Sequence, residues 1–200
     1  MSAIPKHKMT MEEYIEFDKN NEGRWEYFDG EVVDMAGGSL GHNRIARNIL
    51  TTLENKLEGK PCEALPSDMR LKVPKALPYR YPDVVVVCDE PVIETIQGQE
   101  MLVNPLLIVE VLSESTKAYN FDFKFTAYQS IESFKEYLLV AQDRPKVTQY
   151  VRQPDGQWLR RDIEGMGSVV KLASVECELT FDEIYRLVKF PPPESVLRPV

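Results

Sequence analysis

The sequence predicts an α/β or α+β fold, a mixed central sheet flanked by helices. Three observations carry this reading. Two short and almost wholly apolar runs, VVVVC at 84–88 and LLIVEVL at 106–112, are the kind of segment that forms strands covered on both faces. GHNRIARNILTTLENKLEG sets Ile45, Ile49, Leu50, Leu53 and Leu57 at helical spacing, and Gly59 can stop that helix. The C-terminal half holds EYLLVAQD and KVTQYVRQPDGQWLRRDIEG, extended stretches whose second member turns at Asp155-Gly156.

The elements follow in order. Thr10 and Glu13 have capping-box spacing, so a helix runs from about Met11 to Asn20. In RWEYFDGEVVDMAG two extended segments flank Asp29-Gly30, a two-residue hairpin signal. The helix rich in Ile and Leu comes next, and residues 62–73 are then extended. The two buried strands follow, and after them a helix marked by Ala118, Phe121, Phe125 and Tyr128. Thr180 and Glu183 cap a closing helix, and the prolines at 191–193 end regular structure.

With 200 residues, 43% hydrophobic and 28% charged, the chain suits one domain with a sizeable core. A net charge of -8 argues against a basic coat for tight nonspecific nucleic-acid binding, while leaving room for a local basic groove. Cys62, Cys88 and Cys177 are widely spaced and odd in number, which predicts buried thiols in a reducing cytosol and no zinc site. MSAIPKHKMTMEEY has no apolar signal region, and no run reaches the ~18 apolar residues of a membrane span. A soluble cytoplasmic protein is the expectation.

The chemistry concentrates in the buried strands. Asp83 stands at the mouth of one, directly after Pro82, which cannot donate to a ladder and belongs where a strand begins. Glu110 lies inside the other, where a carboxylate is costly unless it is paired or bound to a metal. A third acid, Glu26, sits among aromatics in RWEYFDGE. Bland readings stand beside these: Glu110 turned to solvent, and Glu26 pairing with Arg24. Three converging oxygen donors would suit Mg²⁺ or Mn²⁺. Lys124, between Phe123 and Phe125, is the candidate cation if the acids handle phosphates; its bland reading is a solvated helix lysine. No Gly-rich phosphate loop or Ser/Cys nucleophile elbow is present.

Pro82-Asp83 followed by Glu110 on the next hydrophobic strand resembles the PD-(D/E)XK nuclease superfamily. More narrowly, MTMEEYIEF, RWEYFDGEVVDMAG, GHNRIARNILTTLENKL, YPDVVVV, LLIVEVLSEST and KFTAYQSIESFKEYLLV, in that order, resemble the putative restriction endonuclease family common in cyanobacteria. The likeness runs over about residues 8–188, leaving a Pro-rich tail at 189–200.

The resemblance implies a restriction-endonuclease-like sheet with an N-terminal helix and hairpin and a C-terminal β-meander. It implies Asp83 and Glu110 as ligands of Mg²⁺ or Mn²⁺, with Glu26 and the Val111 carbonyl completing the set. It implies Lys124 as the catalytic lysine, supplied from the following helix, because the usual position two residues after Glu110 is Leu112. His42 matches the family histidine; its bland reading is a helix-start residue bonding to backbone. Asn120-Phe121 stands where the family usually carries an aspartate followed by arginine, a departure that bears on Lys124. The implied activity is hydrolysis of DNA phosphodiesters, the implied partners DNA and a second copy of the chain. Arg44, Arg47, Arg70 and Lys72 are the candidate DNA contacts, each with solvated charge as its bland reading. The competing expectation is a catalytically silent nuclease fold acting as a binding or assembly module.

Overall fold

The computed structural model describes residues 8–28, 30–34, 37–76, 79–112 and 124–191. Asp29, the span 113–123 with Ala118, Asn120 and Phe121, and the tail from 192 lie outside the described residues.

Helix α1 is Met11–Asn20, and its capping box forms as expected: the Glu13 amide donates to the Thr10 hydroxyl, and the Thr10 amide donates to the Glu13 carboxylate. Strands β1 (Trp25–Phe28) and β2 (Glu31–Asp34) make the first hairpin. Helix α2 is Leu40–Leu57, capped by Ser39, whose hydroxyl accepts from the His42 amide. Then come β3 (Cys62–Pro66), β4 (Val84–Cys88), β5 (Ile93–Ile96), β6 (Gln99–Leu102) and β7 (Leu107–Leu112). Helix α3 (Phe125–Tyr128) leads to β8 (Glu136–Ala141), β9 (Lys146–Arg152) and β10 (Trp158–Glu164). Strands β11 (Val169–Leu172) and β12 (Cys177–Thr180) precede α4 (Phe181–Ile184).

The central sheet runs β10-β9-β8-β7-β4-β3. Only β7 and β8 are parallel; every other neighbouring pair is antiparallel. This is the mixed sheet the sequence predicts. Its two faces are both covered. Val84, Val86, Val109 and Val111 pack with Ile45, Ile49 and Leu53 of α2 on one side. Val85, Val87, Ile108 and Leu112 pack with Tyr128, Phe134 and Tyr137 on the other. Val84 to Val87 are wholly buried, each worth roughly 1.5–3 kcal/mol, which makes β4 a rigid mount for whatever precedes it. A third apolar cluster joins α1 and the first hairpin to Tyr79 and Tyr81.

Two expectations are corrected, and two hairpins are new. The 62–73 stretch is a strand only to Pro66, after which Leu71 forms an isolated bridge to Arg80. The β5–β6 and β11–β12 hairpins went unanticipated. Cys62 and Cys88, expected as free thiols, face each other across the antiparallel β3–β4 pair and form a disulfide; Cys177 is free.

Candidate active site

The β4–β7 register pairs Val84 with Val109, so one step further along Asp83 meets Glu110. Both carboxylates belong to the face that carries Val85, Ile108 and Leu112, because strand side chains alternate. Asp83 is held there by the Val111 amide, which donates to its Oδ2 at 2.7 Å. Glu110 is 3% exposed, which rules out the solvent-facing reading. Its Oε1 accepts from the Tyr128 hydroxyl at 2.8 Å.

Lys124 comes up from the start of α3 to the same place. Its Nζ lies 3.2 Å from Glu110 Oε1 and 3.2 Å from Glu26 Oε1. The lysine is buried, so it is no solvated helix residue. Glu26 arrives from β1 and also accepts from the Tyr81 amide at 3.4 Å. It does not pair with Arg24, which turns instead to Ser67 and Asp68. Leu112, the superfamily's usual lysine position, packs in the apolar cluster with Tyr128.

His42 enters from the first turn of α2, its Nε2 3.3 Å from Asp83 Oδ1. The imidazole backs closely onto Gly38: a Cβ there would stand 2.7 Å from His42 Nδ1. The structure therefore brings together five of the predicted residues, Asp83, Glu110, Glu26, Lys124 and His42.

The electrostatics follow from burial. Loss of water pushes Glu110 up to about 7, against the pull of Lys124 and with a further push from Asp83 and Glu26. Burial opposes the Lys124 ammonium, but Glu110, Glu26 and Asp83 outweigh it and hold it above its usual value. Burial likewise opposes a charged His42, and Asp83, with help from Glu110, more than offsets it. The Tyr128 phenol, buried against Glu110, is raised far beyond its ordinary range.

The donor chemistry fits a hard divalent cation. Three carboxylates face one ammonium, leaving two formal negative charges in a region screened from water, and all the acidic donors are oxygens. Among the described residues, however, no three His, Cys, Asp or Glu side chains converge on one point as they stand. Glu26 and Glu110 instead converge on the Lys124 ammonium.

The predicted DNA contacts have their own partners in the structure. Arg44 donates to the Leu187 carbonyl and Arg47 to Asn48. Arg70 pairs with the buried Asp18 and lies over the Tyr79 and Tyr81 rings, while Lys72 pairs with Glu94. Two site members were missed from sequence: Tyr128, and the amide of Tyr81. Tyr128 carried a signal, since it follows Lys124 by four residues and shares its helix face.

A family model described as "Putative restriction endonuclease" (Uma2) matches residues 11–183. The chain belongs to this family. Its mixed fold is that of a nuclease-like protein. Relatives include the uncharacterized protein slr1290 of Synechocystis, 33% identical over 94% of this chain and 97% of the relative. A second Synechocystis protein, sll1609, is also uncharacterized and 33% identical over 82% of this chain and 93% of its own length. Among solved structures, a putative nuclease of the DUF820 group from Anabaena variabilis superposes with a TM-score of 0.68. It covers 88% of this chain and 97% of its own, at 15% identity, a likeness of fold. The restriction-endonuclease-like architecture is thus shared. No described helix is long and apolar enough to cross a membrane.

Proposed function

We propose that the chain is a divalent-metal-dependent endonuclease that hydrolyses phosphodiester bonds of DNA in the cytoplasm, as a single nuclease-like domain spanning the whole sequence. The observation that carries this reading is the juxtaposition of Asp83 and Glu110 on adjacent rigid strands, with a buried lysine 3.2 Å from Glu110 and from Glu26.

Asp83, Glu110, the Val111 carbonyl and Glu26 would hold Mg²⁺ or Mn²⁺. A bound ion supplies Lewis-acid chemistry, neutralising phosphate charge and making an attacking water more acidic. Lys124 places a fixed positive charge where negative charge develops on the phosphate, or orients the water. His42, its Nε2 3.3 Å from Asp83 Oδ1, holds that carboxylate in place, while its Nδ1 is buried against Gly38. Tyr128 fixes the Glu110 carboxylate by donating to Oε1. Arg44, Arg47 and Lys72 contact the DNA backbone; Arg70, committed to Asp18, contributes least directly.

One observation favours a second reading, a silent nuclease fold serving as a binding or assembly module. The cation between Glu26 and Glu110 is already an ammonium, and a lysine that stays there would keep a metal out. Plasmid nicking separates the two. Magnesium-dependent nicking by the wild type and none by Asp83→Ala supports the endonuclease; equal nicking by both, or none by either, removes it.

A further inference from the structure

We propose that β10 is a homodimer interface, in which two copies pair their β10 strands antiparallel about a two-fold axis at Arg161. The resulting sheet would be continuous across both copies. The inference rests on the sheet edge and is independent of the catalytic reading.

Strand β10 is one end of the central sheet, with β9 as its single neighbour. Its seven residues form the longer of the two outer strands, since β3 has five. Leu159, Arg160, Arg161 and Asp162 are all exposed. Among the described residues no backbone group bonds to its outer side.

The direction of its backbone groups can be read from the ladder ends. The Gln153 amide donates to the Gln157 carbonyl at 2.7 Å, and the Gly165 amide donates to the Pro145 carbonyl at 2.9 Å. Bonded pairs alternate in an antiparallel ladder, so Leu159, Arg161 and Ile163 spend their backbone groups on β9. Trp158, Arg160, Asp162 and Glu164 aim theirs outward. Arg152 agrees with this phase: opposite Trp158, it sends its amide the other way, to the Lys135 carbonyl.

A copy paired about Arg161 sets Arg160 against the partner's Asp162, and Asp162 against the partner's Arg160. Trp158 meets the partner's Glu164. All these are outward-facing residues, so the two strands can exchange up to about eight backbone hydrogen bonds. On the opposite face Leu159, 40% exposed, meets the partner's Ile163. Arg161 meets its own copy, the one like-charge contact, between solvent-exposed guanidiniums that salt screens.

The charge order also bears on the register. Sliding by one pleat in one direction sets Arg160 against the partner's Arg160; sliding in the other sets Asp162 against the partner's Asp162. Like charges directly opposite are destabilising, which disfavours the first slip; the second also sets Arg160 against the partner's Glu164, and cross-linking at residue 161 separates it from the pairing about Arg161. Charge on an edge strand ordinarily discourages pairing. Here the signs are ordered so that the symmetric pairing about Arg161 can match them.

The test is sedimentation velocity on the full chain with two sets of variants. Wild type should be dimeric, Asp162→Arg monomeric, and the swap Arg160→Asp/Asp162→Arg dimeric again. That restoration separates a lost interface from a lost fold. In a Cys177→Ser background, Arg161→Cys should oxidise to a covalent dimer, because the two copies of residue 161 face each other across the dyad. Leu159→Cys should not, because it faces the partner's position 163. A monomeric wild type, a dimer unaffected by Asp162→Arg, or cross-linking equal at 159 and 161 would each overturn the proposal.

Discussion

Replacing Lys124 by methionine keeps the volume of a long side chain and removes one charge. In the structure that charge is buried and is shared between two buried carboxylates at 3.2 Å each. Breaking a buried ion pair from one side leaves its partner uncompensated and costs about 3–5 kcal/mol. Here two partners are exposed to that penalty, so the upper part of the range is expected in the absence of metal. For a chain of this length that corresponds to a fall in melting temperature of roughly 10 °C or more. The assay is urea and thermal unfolding in EDTA at pH 8, on wild type, Lys124→Met, Glu110→Gln and the double variant. Glu110→Gln removes a negative charge from the same cluster, so the double variant should lose less than the sum of the singles, by about 1–3 kcal/mol. A loss below about 1 kcal/mol for Lys124→Met, or simple additivity in the double variant, would refute the picture of an ammonium clamped between Glu26 and Glu110.

Tyr128→Phe deletes the hydroxyl that donates to the Glu110 carboxylate, and unfolding experiments should register a loss of about 1.5–3 kcal/mol. The Cys62–Cys88 disulfide closes a loop with a sequence separation of 26, so dithiothreitol or a Cys62→Ala/Cys88→Ala pair should lower stability by about 3 kcal/mol, read from the urea midpoint. At Glu183 burial opposes the carboxylate, but Lys56 and the Thr180 amide and hydroxyl hold its pKa below the usual value of 4.5. A depressed folded value contributes stability above the unfolded pKa and loses it as pH falls through the folded one. Glu183→Gln should therefore narrow the wild type's loss of stability on acidification below about pH 4.5, seen as converging melting curves.

Much of this architecture was legible in local chemistry. The capping boxes at Thr10 and Thr180 needed only four residues each, and the buried strands β4 and β7 announced themselves by unbroken apolar runs. The two acids on those strands were readable because buried charge is costly, and the antiparallel register explains why they meet. Lys124 was a candidate from its place after the Glu110 strand, but its catalytic role came through the family likeness, since Leu112 holds the usual position. The β5–β6 hairpin was missed although Gln97-Gly98 supplies its turn, both residues having positive φ, at 51° and 84°. Its strands are short and each face carries a glutamate, Glu94 on one and Glu100 on the other, so the apolar pattern was weak. The β11–β12 hairpin turns through residues 173–176 with no glycine, and Glu176 takes the positive φ instead. The Cys62–Cys88 pairing depends on a long-range register that no local pattern encodes.

The proposed function requires that Asp83 and Glu110 together hold a divalent cation. Calorimetric titration of Mn²⁺ into wild type, Asp83→Ala and Glu110→Ala, with and without a short DNA duplex, tests it most directly. The wild type should bind the ion saturably, and both variants should lose that binding while their circular dichroism stays native. Binding that persists in either variant, or a natively folded wild type that takes up no ion even with DNA, would contradict it.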